Sequence, residues 1–362
     1  MIRKTVHFMF CILFLIVILS GCAKSTEIVT MPPPPTNTQV SPTPTLEPSP
    51  TESSVTQIAV IERVSVASDG TQGNADSWSP AISADGCYVA FSSYASNLVE
   101  GDTNGVTDIF VHDRVTGETT RVSVASDGTE ANKYNEAIRS FISADGRYVA
   151  FRSDATNLVE GDTNGVMDCF VHDLVTGETT RVSVASDGTQ SNGDCGRTFM
   201  VLIYGPSISA DGRFVAFSSW ATNLVEGFTE YVNIIGYTNI YVHDLVTGET
   251  TLESVSSDGT QGNNSSSFLT FSADGRYVRF SSDATNLVEG VTHGGIFVHD
   301  RMTGETTLEA FHDGTQRQIY YSIPAISADG RYEAFESGED NLVKGDTDGV
   351  GDIFVRDLGT NK

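Results

Sequence analysis

The sequence predicts an all-β fold, a five-bladed β-propeller of four-stranded antiparallel blades closed by the N-terminal strand, on three observations. Ser-Ala-Asp-Gly recurs at Ser83, Ser143, Ser209, Ser272 and Ser327, at spacings of 60, 66, 63 and 55 residues. Around each copy lie short, alternating, β-branched or aromatic segments, and no stretch between them has helical periodicity of useful length. The fourth segment of the repeat also occurs once ahead of the first copy, whereas the last repeat stops after its third.

Ahead of the repeats the chain carries an address. Arg3, Lys4 and His7 precede twelve apolar residues, Phe8 to Leu19. At about 1.5 Å per residue this run covers roughly 18 Å, against the roughly 30 Å of a bilayer core, so it reads as a cleaved signal and not as a span. It ends Leu19-Ser20-Gly21-Cys22, which resembles the lipobox of bacterial lipoproteins. That resemblance implies cleavage before Cys22 and diacylation of its thiol, enough acyl chain for stable attachment to membrane lipid. From Ala23 to about Gln57 the chain holds eight of its eleven prolines among Ser and Thr. Too few apolar groups are present there to offset chain entropy, and Pro extends the segment to at most roughly 100 Å, as a disordered stalk. The expected organisation is therefore 1–22 signal, 23–57 stalk and 58–362 propeller.

Within the first repeat the segments are Ala81-Ile82-Ser83, Tyr88-Val89-Ala90-Phe91, Ile109-Phe110-Val111-His112 and Thr120-Arg121-Val122-Ser123-Val124. Asp85-Gly86 and Thr116-Gly117 separate them, both suited to hairpins that need positive φ. The extra copy, Ile61 to Val66, is placed to complete the last blade beside Ile353-Phe354-Val355-Arg356 and so to remove open sheet edges. The run Ser-Ala-Asp-Gly-Arg-Tyr-Val-Ala-Phe resembles the hairpin of TolB-type, WD-like β-propeller repeats, over roughly residues 58 to 362. The resemblance implies the fold; such propellers serve as binding platforms, assembly partners and appendages of peptidases, so it does not fix a function.

A net charge of −26 excludes generic nucleic-acid binding. Three loops carry spaced oxygen ligands around a Gly turn: Asp102, Asn104 and Asp108; Asp162, Asn164 and Asp168; Asp346, Asp348 and Asp352. Calcium is the cation they would suit, although the terminal Glu of a full calcium loop is missing. Turns capped by their own carboxylates are the plainer and preferred reading. His112, His172, His243 and His299 repeat at one third-strand position, too far from one another to share a zinc ion, and read as repeat consensus. Of the exported cysteines, Cys87 with Cys195 is disfavoured by opposite ends of the blade, and Cys169 with Cys195 stays open.

Function on such a ring is expected where repeats differ, at the mouth where inner strands begin. Aligned on Pro80, Pro206 and Pro324, that end carries Trp78, then Glu136 and Arg139, then Tyr204, then Tyr320 and Tyr321. Aromatic platforms with a few polar groups suit a glycan or a protein partner; the alternative is that Trp78 and Tyr204 only fill space between blades. The resulting expectation is a monomeric, non-enzymatic binding propeller that needs no cofactor. Two alternatives stand beside it. A glycoside hydrolase would need converging carboxylates, of which only Glu136 is clearly on an inner strand while Asp76 and Asp194 lie in loops. A purely structural envelope protein would bind nothing specific.

Overall fold

The computed structural model describes residues 61–133, 141–196, 205–227, 237–311, 325–326, 331–337, 342–344 and 350–357. Every regular element among them is a β-strand. Sheet one contains β2 (Ser77–Ile82), β3 (Tyr88–Ser93), β4 (Asp108–Asp113) and β5 (Thr119–Arg121). Sheet two contains β6 (Phe141–Ile142), β7 (Tyr148–Ser153), β8 (Asp168–Asp173) and β9 (Thr179–Arg181). Sheet three contains β10 (Ser207–Ile208), β11 (Phe214–Ser219), β12 (Asn239–Asp244) and β13 (Thr250–Leu252), and sheet four β14 (Ser266–Phe271), β15 (Tyr277–Ser282), β16 (Gly295–Asp300) and β17 (Glu305–Phe311). Sheet five joins the chain's two ends, in the order β1 (Ile61–Arg63), β20 (Asp352–Asp357), β19 (Tyr332–Ser337) and β18 (Ala325–Ile326). All pairings are antiparallel and each sheet is open.

The Ser-Ala-Asp-Gly turn works through its side chains as well as its glycine. Asp85 Oδ1 accepts from the Ser83 hydroxyl at 2.6 Å and from the Cys87 N–H at 2.9 Å, and Ser83 Oγ accepts from the Tyr88 N–H at 3.0 Å. Gly86 takes the required left-handed backbone at φ 73°. Glycine is needed there for a second reason: a Cβ on Gly86 would lie 2.2 Å from the Tyr332 ring, and one on Gly146 would lie 2.1 Å from the Tyr88 ring. Each of these hairpins among the described residues thus seats on an aromatic ring of the preceding sheet, Gly212 on Tyr148 and Gly275 on Phe214 likewise. Adjacent turns also bond through their backbones, Ala84 N to Ala144 O and Ala144 N to Ala210 O, both at 3.0 Å, and Ala210 N to Ala273 O at 3.3 Å.

Between sheets the core alternates small and large residues. Ala90, Ile109 and Val111 of sheet one meet Val149, Phe151 and Phe170 of sheet two. Val89, Phe91 and Phe110 on the other face of sheet one meet Ala334, Ile353 and Val355 of sheet five. Period-two alternation therefore buries both faces of each sheet, which explains strands that read as nearly continuous apolar runs.

The repeated histidines form latches between sheets. His112, His172, His243 and His299 place Nδ1 at 2.8 to 2.9 Å from Thr119, Thr179, Thr250 and Thr306 Oγ1. Each threonine hydroxyl donates in turn to a carbonyl of the preceding sheet's trailing segment, Val66, Val124, Val184 or Val255. The hydroxyl's single proton is committed, so imidazole Nδ1 must be the donor. Burial holds His172, His243 and His299 below the usual imidazole range, with neighbouring carboxylates opposing it. Sheet five has Ile61 and Arg356 at the corresponding places, and Arg356 pairs with Glu333 instead.

The one disulfide among the described residues joins Cys169 on β8 to Cys195, with Cα atoms 5.8 Å apart. The pairing left open by the sequence is therefore made, and it ties sheet two to the segment entering sheet three. Cys87 is a buried thiol outside that disulfide.

Replacing Thr179 by Val should strand the His172 N–H and the Val124 carbonyl, lowering unfolding free energy in urea by about 1–3 kcal/mol, while Thr179→Ser keeps most of it. Joint replacement of Cys169 and Cys195 by Ser should cost about 3 kcal/mol, from the loop-closure entropy of a 26-residue separation, and reducing the wild type should lower its Tm likewise.

Candidate functional site

The inner strands begin, and the second strands end, at the edge opposite the Ser-Ala-Asp-Gly turns. There Trp78 packs on Tyr94, ring centroids 4.8 Å apart and planes tilted by 50°; Trp78 is half-buried and Tyr94 is 48% exposed. The register of β2 slips between Trp78 and Ala81, and inside that bulge Ser79 has φ 55°, the one left-handed non-glycine among the described residues. The bulge turns the Ser79 backbone N–H to the carboxylate of Glu336, on β19 of sheet five. Burial raises the proton affinity of Glu336; the Ser79 hydrogen bond opposes this and the charge of Asp76 adds to it. An aromatic pair and a perturbed carboxyl thus meet at the seam between the chain's first and last sheets.

Glu336 belongs to a position that the sequence analysis passed over. The same place on the second strand is Ser92, Arg152, Ser218 and Ser281 in the other sheets. Arg152 is fully buried and donates from Nη1 to the Gly196 carbonyl at 3.1 Å, crossing from sheet two to the strand entering sheet three. The visible signal was a charged residue breaking the Phe-Ser-Ser ending of the repeat, as Phe-Arg-Ser and Phe-Glu-Ser.

Asp76 and Asp194 have structural partners. Asp76 Oδ1 accepts from Gly351 N at 2.7 Å and Asp194 Oδ1 from Met167 N at 3.0 Å, each joining an inner strand to the preceding sheet. Pro206 keeps the place of Pro80, since Ser207 and Ile208 pair with Ala216 and Val215 as Ala81 and Ile82 pair with Ala90 and Val89. Gly196 N donates to Ser218 O at 2.7 Å, so Gly196 stands opposite Ser218 as Trp78 stands opposite Ser92. Gly196 therefore holds opposite Ser218 the place that Trp78 holds opposite Ser92, nine residues of the chain lying between Gly196 and Pro206. Tyr204, Glu136, Arg139, Tyr320, Tyr321, Asp346, Asp348 and Cys22 lie outside the described residues.

The acidic loops gather their carboxylates around arginine. Arg121 Nη1 is 3.3 Å from Asp102, 3.4 Å from Asp108 and 2.9 Å from Glu130. Arg181 Nη1 likewise meets Asp162 at 3.1 Å and Asp168 at 3.4 Å, and Arg63 meets Asp352 at 3.1 Å. Asn104 and Asn164 spend their amides on Asp108 and Asp168 at 2.9 Å. A calcium ion in the first two loops would have to displace a guanidinium. Among the described residues no group of three His, Cys, Asp or Glu is arranged to hold a metal. Desolvation, reinforced by Asp108, pushes Asp102 up to about 6, and burial raises Asp108 and Asp168.

No helix among the described residues is long and apolar enough to cross a membrane. No protein-family model matches the sequence, and no curated protein matches it. Solved structures do. TolB from Acinetobacter baumannii is similar at 16% identity and a TM-score of 0.41, over 79% of this chain and 55% of that one. A putative TolB from Agrobacterium tumefaciens is similar at 18% identity and a TM-score of 0.37, over 64% and 63%. The β-propeller domain of the Trilobed protease from Pyrococcus furiosus is similar at 14% identity and 0.38, over 78% and 68%. The chain thus spans less than two thirds of either TolB protein it resembles, and the likeness is one of β-propeller fold.

Proposed function

We propose that this chain is a lipid-anchored, extracytoplasmic recognition protein that binds a glycan or a protein at its mouth without chemical turnover. In this reading the five sheets are blades of one monomeric ring closed by β1, Cys22 carries the acyl chains, and residues 23–57 are the stalk. The carrying observation is the meeting of Trp78, Tyr94 and Glu336 at a bulge with a left-handed serine. Two further features support it. A buried disulfide suits the oxidising side of a membrane. Asp76 and Asp194, which a hydrolase would need free, are engaged by backbone N–H groups.

In the same reading the acidic loops are arginine-centred struts that need no calcium. Their mutual hydrogen bonding supplies what a cation would otherwise supply.

The mouth reading is tested with the full chain and its Trp78→Ala and Glu336→Gln variants on immobilised oligosaccharides and envelope proteins. Binding should weaken at least tenfold in Trp78→Ala, and undiminished binding would overturn the assignment. Labelling with radioactive palmitate and partition into membranes should both disappear in Cys22→Ser. For the struts, Asp102 is more easily protonated folded than unfolded, so ionising it opposes folding above about pH 6. Asp102→Asn should therefore raise Tm at pH 7.5, with the gain fading as pH falls from about 6 towards the ordinary carboxylate range near 3.8. Calcium should leave the Tm of the wild type unchanged.

A further inference from the structure

We infer that sheet three carries a sugar subsite built from Trp220, Ser218 and Gly196, which takes a neutral pyranose ring. It rests on the mouth reading and adds a location and a ligand class. Trp220 follows β11 at the place that Tyr94 holds after β3, and Trp220 N donates to Asp194 O at 3.3 Å just as Tyr94 N donates to Asp76 O at 3.0 Å. Tyr94 has Trp78 to pack against, whereas Trp220 has Gly196, which offers no side chain at that position.

Two polar groups at this place lack partners. Ser218 is 1% exposed and its Oγ makes no hydrogen bond; the Trp220 Nε1–H is buried and finds no acceptor. They lie two residues apart, Ser218 on β11 and Trp220 just past its end. Arg121 and Arg181 Nε and Asp162 Oδ1 also lack hydrogen bonds, but they belong to ion-paired groups. A buried donor without a partner is costly, and such a pair is the signature of a site awaiting one.

The strand opposite is fixed from several directions. Cys195 is bonded to Cys169, its N–H donates to Met167 O at 2.8 Å, Asp194 takes the Met167 N–H, and Arg152 holds the Gly196 carbonyl. The disulfide and the fully buried arginine therefore fix Cys195 and Gly196, on the segment that pairs with Ser218 to Trp220. Rigid support of this kind lowers the ordering cost of binding.

The chemistry selects a sugar. An indole that has glycine and no side chain at the neighbouring strand position can stack on the C–H face of a pyranose, while the indole N–H and the serine hydroxyl donate to its hydroxyl or acetamido oxygens. An extended peptide would read backbone groups, but Gly196 N, Ser218 O, Trp220 N and Asp194 O already pair with one another. A net charge of −26 disfavours anionic sugars.

The sequence has two tryptophans, so in full-length Trp78→Phe the indole emission reports Trp220 alone. Titration with cellotriose, maltotriose and the trimer of N-acetylglucosamine should give a saturable change with at least one of them, and none with trigalacturonate. By calorimetry on the full chain, Ser218→Ala and Trp220→Phe should each weaken that binding by about tenfold, the loss of roughly one hydrogen bond, with unfolding curves confirming that both variants fold. Silence of Trp220 with every neutral trimer would overturn the subsite, as would binding unchanged in both variants. A sugar response of Trp78 in Trp220→Phe, without one of Trp220 in Trp78→Phe, would overturn it while leaving the mouth reading standing.

Discussion

The pairing of Ile61–Arg63 with Phe354–Arg356 is the constraint on which the rest of the molecule depends. It brings together segments almost three hundred residues apart, and the entropy of closing so long a loop grows only logarithmically, so a modest set of contacts suffices. Those contacts are side-chain as well as backbone. Asp352 accepts from Ser65 Oγ at 2.5 Å and from Gln72 Nε2 at 3.3 Å, and pairs with Arg63. The same carboxylate–arginine–serine arrangement recurs locally as Asp108, Arg121 and Ser123 and as Asp168, Arg181 and Ser183. A pattern that is intramotif elsewhere thus becomes the bond between chain ends in sheet five.

Repetition makes the seams redundant, and redundancy frees one end for variation. The turn end is held by the Ser-Asp-Gly hydrogen bonds, the glycine-on-ring contacts and the histidine latches, all nearly identical across sheets one to four. With stability supplied there, the opposite end tolerates a strained serine, an exposed glutamate with raised proton affinity and a fully buried arginine. Buried charges are destabilising unless compensated. Arg152 is compensated by a carbonyl of the neighbouring strand, so it also fixes how two sheets meet.

The acidic loops illustrate how charge chemistry is decided by one neighbour. Read along the chain, Asp102, Asn104 and Asp108 have the spacing of cation ligands. In three dimensions Arg121, from the fourth strand, stands among them and converts a would-be cage into an ion-pair knot. Burial, reinforced by the charge of Asp108, leaves Asp102 with a raised proton affinity that Arg121 only partly offsets.

What the sequence by itself determined is local and periodic. Asp-Gly turns, alternating strands and the repeat phase define strand identity because each depends on a few adjacent residues, and the histidines were legible as repeat consensus for the same reason. Only the tertiary structure decided the contacts that cross between sheets. It bonded Cys169 to Cys195, put Gly196 opposite Ser218, and placed Glu336 beside Ser79. Those outcomes rest on distances between residues remote in sequence, which spacing along a chain does not encode.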